Sequence, residues 1–148
     1  MKDTRKLIKE LLEKGYLMSL GINDESGPWV ADVIYVFDED FNLYWLSEII
    51  TRHSQAILKN NKVAGTITIS NKGGEANMGI QFEGIAEKVE GDVFEMAKQH
   101  RRKRGKPEPE KIGEIVEEGE SWYKIKPIRI ELIYEPLFGF DKRTLKLT

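Results

Sequence analysis

The chain has 148 residues, of which 40% are hydrophobic and 32% charged, with 23 Lys and Arg against 25 Asp and Glu. That length predicts one domain over residues 1–148, large enough to fold around its own core, and the near-balance of charge gives no general drive towards nucleic acid or an anionic membrane. The absence of cysteine excludes disulfides, thiolate catalysis and Cys-ligated metal, and two histidines, His53 and His100, are too few for a multi-histidine centre, so no metal is expected.

Residues Asp3 to Lys14 place Leu7, Ile8, Leu11 and Leu12 on one face, which predicts an amphipathic helix capped by Asp3 or Thr4 and ended at Gly15. The first fifteen residues are charged throughout and no segment approaches a membrane span, which reads as a cytoplasmic protein. Tyr16 to Ile22 and Trp29 to Phe37 are predicted strands, joined as a hairpin by the turn formers of Asn23 to Gly27. Asp38 to Asp40 makes a second turn before a strand over Asn42 to Leu46. A helix is expected from about Thr51 to Lys59, then a β-branched strand over Val63 to Ile69. Met78 to Val89 is long enough for a bent strand with Gly84 as its bulge. Two helices over Gly91 to Arg104 and Pro109 to Glu118 follow, then strands over Trp122 to Ile125 and Ile128 to Tyr134, divided by Pro127. Strands joined mostly by hairpin-scale turns predict an antiparallel barrel with peripheral helices.

Few residues suggest chemistry of their own. No serine sits in a nucleophile elbow, and no Walker loop is present. The run from Lys98 to Lys106 is the one strongly basic patch, but without interleaved aromatics for base stacking it reads as a solvated helix end carrying His100. Thr51-Arg52-His53-Ser54 reads either as an ordinary capped helix with solvated cations or as a phosphate site. Helix N-termini present unpaired N–H groups, to which Arg52 and His53 add charge. Along Gly79 to Glu87, strand alternation puts Gln81, Glu83 and Ile85 on one face, and the amide of Gln81 can both donate and accept at the edge of a heterocycle.

The order of these segments resembles that of the FMN-binding split-barrel superfamily, whose best-known member is pyridoxamine 5′-phosphate oxidase. The resemblance is carried by the hairpin with Gly27-Pro28-Trp29, Leu46-Ser47, Thr51-Arg52-His53, Val63-Ala64-Gly65-Thr66, Gly-x-Gln-x-x-Gly at Gly79 to Gly84, and the tail Phe138 to Lys142. It implies a mainly β fold with peripheral helices, a six-stranded antiparallel Greek-key split β-barrel. It further implies a homodimer with FMN at the interface. On that pattern Asp32, Val33 and Ile34 run along the flavin edge, Leu46 and Ser47 lie near the ribityl chain or the phosphate, Arg52 and His53 hold the phosphate, and Thr51 caps the helix and reaches a phosphate oxygen. Gln81 approaches the ring, and Lys142 closes over the cleft.

The chain departs from the oxidase at several points. It has Ala31 and Val36 where the oxidases carry arginine and lysine, His53 where lysine is usual, and Tyr134 to Leu137 near the place of their C-terminal basic motif. The vitamin B6 reaction therefore drops out. The resemblance implies an FMN-dependent oxidoreductase acting on an unidentified small molecule by hydride transfer. A non-catalytic binder of flavin or another planar ligand is the alternative, and a nucleic-acid-binding barrel using Lys98 to Lys106 the third.

Overall fold

The computed structural model describes residues 3–147, so Met1, Lys2 and Thr148 of the expected domain lie outside it. The Asp3 carboxylate accepts the Arg5 amide at 3.1 Å and caps α1 (Thr4–Lys14), whose buried face is Leu7, Ile8, Leu11 and Leu12. Each of those side chains contributes about 2 kcal/mol through the apolar surface it removes from water. The helix stops at Gly15, where a Cβ would lie 2.3 Å from the Tyr35 hydroxyl. That hydroxyl donates to Leu12 O at 2.7 Å and fastens the helix end to the barrel.

The wall is one curled, open antiparallel sheet. It comprises β1 (Leu17–Asp24), β2 (Gly27–Ile34), β3 (Val36–Phe37), β4 (Leu43–Glu48), β5 (Lys62–Thr68), β6 (Met78–Lys88), β7 (Glu120–Tyr134) and β8 (Arg143–Lys146). Their order is β2-β1-β5-β6-β7-β4-β3, with β8 also on β7. Six long strands thus make the split barrel, and the short β3 and β8 raise the count to eight among the described residues. Helices α2 (Arg52–Lys59) and α3 (Phe94–Lys103) and the single turn α4 (Glu135–Phe138) sit at the periphery. The interior is filled by one cluster that includes Met18, Leu20, Tyr35, Trp45, Ile67, Ile80, Tyr123 and Leu132.

Local sequence was overruled in four places. The strand expected over Trp29 to Phe37 breaks after Ile34, where pairing with β1 ends at Leu17 and Val36 takes up pairing with β4. Pro127 does not divide two strands. β7 runs through it, because Gly84 pairs with Pro127 and Glu83 with Arg129, so Ile128 is the extra residue of a bulge at which no ladder N–H is required of the proline. Gly84 is the expected kink for a steric reason: a Cβ there would lie 2.5 Å from Lys126 O.

The helix expected over Pro109 to Glu118 is a single 3-10 turn, Ile112–Glu114. Its carbonyl groups are drawn outward instead: Trp122 Nε1 donates to Ile115 O at 2.9 Å and Arg101 to Glu114 O at 2.7 Å. His100, expected on the surface, is 5% exposed and packs edge-on against Trp122 with a centroid separation of 5.2 Å. No helix among the described residues is long and apolar enough to cross a membrane.

Candidate functional site

Strand alternation sends every second side chain of the sheet outward. On that outer face the register aligns Asp32 with Ser19, Ser19 with Thr66, Thr66 with Gln81, Gln81 with Glu131, and Glu131 with Thr144. Six hydroxyl, amide and carboxylate side chains therefore form one row across β2, β1, β5, β6, β7 and β8. Ser19 donates to Asp32 Oδ1 at 2.6 Å at one end. Towards the other, Lys142 Nζ donates to Gln81 Oε1 at 2.8 Å and lies 3.8 Å from Glu131. A hydrogen bond from Arg129 holds the Glu131 carboxyl below its usual range, with help from Lys142 and Thr144. Thr66, at the centre, is exposed and has no side-chain hydrogen bond among the described residues.

The structure brings together Asp32, Gln81 and Lys142, three of the residues named from sequence, and adds Ser19, Thr66, Glu131 and Thr144, which sequence reasoning missed. Only the pairing partners of each strand could have revealed them. Beneath the row β1 and β5 approach closely at Gly65, where a Cβ would lie 2.4 Å from Ser19 O.

A second group sits where β4 turns into α2. Thr51 is the N-cap: its Oγ1 accepts the Ser54 amide at 3.3 Å and lies 2.7 Å from Ser54 Oγ. Both hydroxyls reach the Glu48 carbonyl, at 3.0 and 2.9 Å. His53 is 9% exposed, and its Nε2 shares a hydrogen bond with Ser47 Oγ at 3.0 Å. Burial pushes its pKa down, so the ring is neutral at physiological pH. Arg52 differs from the exposed cation that sequence suggests. Its Nε and one terminal nitrogen hold the Asp24 carboxylate at 2.8 and 2.9 Å, and its Cζ lies 4.6 Å from the centroid of the Trp29 ring. Asp24 reads from sequence as a turn former and nothing more.

The remaining named residues are placed apart from both groups. Val33 points into the core at 8% exposure, and Ile34 ends β2 half-buried. Leu46 faces away from Ser47, into a cluster with Val36, Val93, Ala97 and Trp122. The basic run is turned on its own chain: Arg101 bonds Glu114 O, Arg102 pairs with Glu108 at 3.2 Å, and Lys103 donates to Tyr35 O at 2.5 Å over the Tyr35 ring. Among the described residues no cluster of His, Asp and Glu could hold a metal ion.

Known structures place this architecture. The chain superimposes on a candidate pyridoxamine 5′-phosphate oxidase from Listeria innocua with a TM-score of 0.70 and 15% identity, over 88% of this chain and 98% of that one. The two share one fold, a split barrel. The split barrel also superimposes on a heme-binding protein from Mycobacterium smegmatis with a TM-score of 0.71 and 13% identity, over 99% of this chain and 59% of that one. In sequence it is 31% identical over 94 residues to a UPF0306 protein of Pasteurella multocida, a match that spans 63% of each chain. No family model matches it.

Proposed function

We propose that this split barrel is a binding protein for a planar heteroaromatic cofactor, FMN, held against the outer face of the sheet and covered by a second copy of the chain. The observation that carries this reading is the lateral row of Asp32, Ser19, Thr66 and Gln81. Hydroxyl and amide groups both donate and accept, as the mixed polar edge of a flavin ring requires. Around the row the same face carries Leu17, 45% exposed, and Val30, 63% exposed, apolar surface suited to the flat rings or to a partner. A ligand lying on one open sheet keeps one face in water, and an isologous second copy would cover it.

Heme is the other planar cofactor seen on this fold, and the histidines favour flavin over it. His53 is turned to Ser47 and His100 is packed on Trp122, with burial and the nearby Arg104, Arg101 and Lys103 charges pushing His100 down to about 4. Neither presents a free imidazole for an iron. FMN, when bound, supplies redox chemistry at its ring, while the residues named here bind and orient it.

Titration of purified protein into FMN, followed by flavin fluorescence and the visible spectrum, tests the reading. Saturable quenching is expected, together with a dimer by light scattering. Gln81→Leu should weaken FMN binding about tenfold, the effect of leaving a ligand polar group unpaired, with the melting temperature little changed. An FMN spectrum unaltered by excess protein, or equal affinity in Gln81→Leu and wild type, overturns it.

A further inference from the structure

One member of the basic run is withdrawn from solvent. Lys103, in the last turn of α3, is half-buried, with its Nζ 3.3 Å from the centroid of the Tyr35 ring and donating to Tyr35 O at 2.5 Å. An ammonium group has three donors. Tyr35 O is the one hydrogen-bond acceptor of Nζ among the described residues, and no carboxylate there pairs with it. One carbonyl oxygen and a ring face replace little of the water lost, and burial brings the pKa of this amine down to about 7.

The same side chain lines a cleft of about 690 Å³ between the end of α1, the turn after β3, and α3, which shares no residue with the row. Leu12, Val36, Phe37 and Met96 give the cleft an apolar wall. Its other charges balance, with Lys9, Lys14 and Arg102 against Glu13, Asp38 and Glu39. Two of these are already engaged, since Arg102 pairs with Glu108 and Asp38 accepts from Asn42 and Tyr44. A charged ligand therefore gains little here, and an uncharged one with an apolar body is favoured.

We propose that Lys103 is the nucleophile of a second site, a cleft that takes an uncharged aldehyde with an apolar or aromatic body and holds it as an imine. The site is independent of the flavin reading. In the step, the neutral amine directs its lone pair at the carbonyl carbon, a C–N bond forms, and the π pair of the carbonyl passes to oxygen. Nitrogen then gives up both its protons, which reach that oxygen through solvent. The C–O bond breaks, water leaves, and a C=N bond remains. Nothing is oxidised or reduced, and water is the sole co-product.

The test treats the purified protein at about pH 7 with benzaldehyde or with formaldehyde in the presence of cyanoborohydride, which reduces an imine to a stable amine. Peptide mass mapping then times the capture of each lysine. Lys103 should be captured about tenfold faster than the exposed Lys72 and Lys106, because about half of it is neutral at that pH, whereas an ordinary solvated lysine, with a pKa of about 10.4, is almost wholly protonated. The advantage should be larger with benzaldehyde than with formaldehyde, since only the former has a body to set against the apolar wall. Lys103→Arg keeps a donor for Tyr35 O and a charge but no nucleophile, so it should melt near wild type and lose the fast capture. Capture of Lys103 no faster than that of Lys106 overturns the proposal. An equal advantage with both aldehydes also overturns it, because that marks a reactive amine without a recognising cleft. Fast capture that survives in Lys103→Arg does the same.

Discussion

Two polar groups on this barrel invite comparison, the row across the outer sheet and the corner that opens α2. Both contain residues that the sequence marks as ligand-binding, but they treat their hydrogen-bonding capacity in opposite ways. At the corner, Ser47, Thr51, His53 and Ser54 bond one another and the Glu48 carbonyl, and Arg52 is matched by Asp24. On the row, Thr66 bonds no side chain among the described residues, and Gln81 is held through an exposed lysine that can swing away. Buried polar groups must be satisfied by the protein itself, whereas exposed ones stay available at little cost. The corner is therefore the part whose disruption should cost stability, and the row the part whose disruption should cost ligand.

The largest expected effect is at His53. His53→Ala removes a buried ring and leaves Ser47 without its partner, and should lower unfolding free energy by about 2–3 kcal/mol. The same residue gives the corner a pH dependence of known sign. Its folded pKa lies below the unfolded value of about 6.5, so the unfolded chain binds the proton more readily. Its contribution is complete above that value and is lost as pH falls through the depressed folded value. Urea titrations at about pH 7.5 and 5.5 should therefore show a steeper acid loss in wild type than in His53→Ala. Equal stability of the two proteins at the higher pH would show that the corner is not the satisfied structural unit described.

A smaller effect belongs to the cap. Thr51→Ala deletes the acceptor for the Ser54 amide and one of two hydroxyls on the Glu48 carbonyl, leaving Ser54 to hold the latter. The loss should be about 1 kcal/mol, read as a shift in the urea midpoint without a change of slope. A loss as large as that of His53→Ala would mean that the capping hydroxyl, not the buried ring, organises the corner.

How much of this could be read beforehand depended on the range of the forces involved. The caps at Asp3 and Thr51 and the kink at Gly84 were legible, because each is decided by neighbours in the chain. The split barrel came from the resemblance, and the structure shows it with two further short strands. The single 3-10 turn at Ile112–Glu114 was not legible: Trp122 and Arg101, which take its carbonyl groups, lie outside the segment. Nor was the fate of Arg52, whose partner Asp24 looked like one more turn residue. The row was half legible. Gln81 announces an outward polar position, but Ser19, Thr66 and Glu131 become its neighbours only through pairing of four strands.

Thr66 gives the smallest expected change in stability and the sharpest test of the contrast. Thr66→Val keeps the branched side chain that suits a strand and removes only the hydroxyl, on an exposed face where no partner loses a bond. Unfolding free energy should stay within about 0.5 kcal/mol of wild type. Flavin affinity should fall about fivefold, because a bound ring would lose a donor at the centre of the row and bury a polar atom unpaired. The two readouts separate the roles: an apolar swap that is silent in urea and costly in a flavin titration marks a ligand surface. If Thr66→Val instead leaves flavin binding intact and disturbs only the dimer, the row is the seam between two copies, and the ligand lies elsewhere on the barrel.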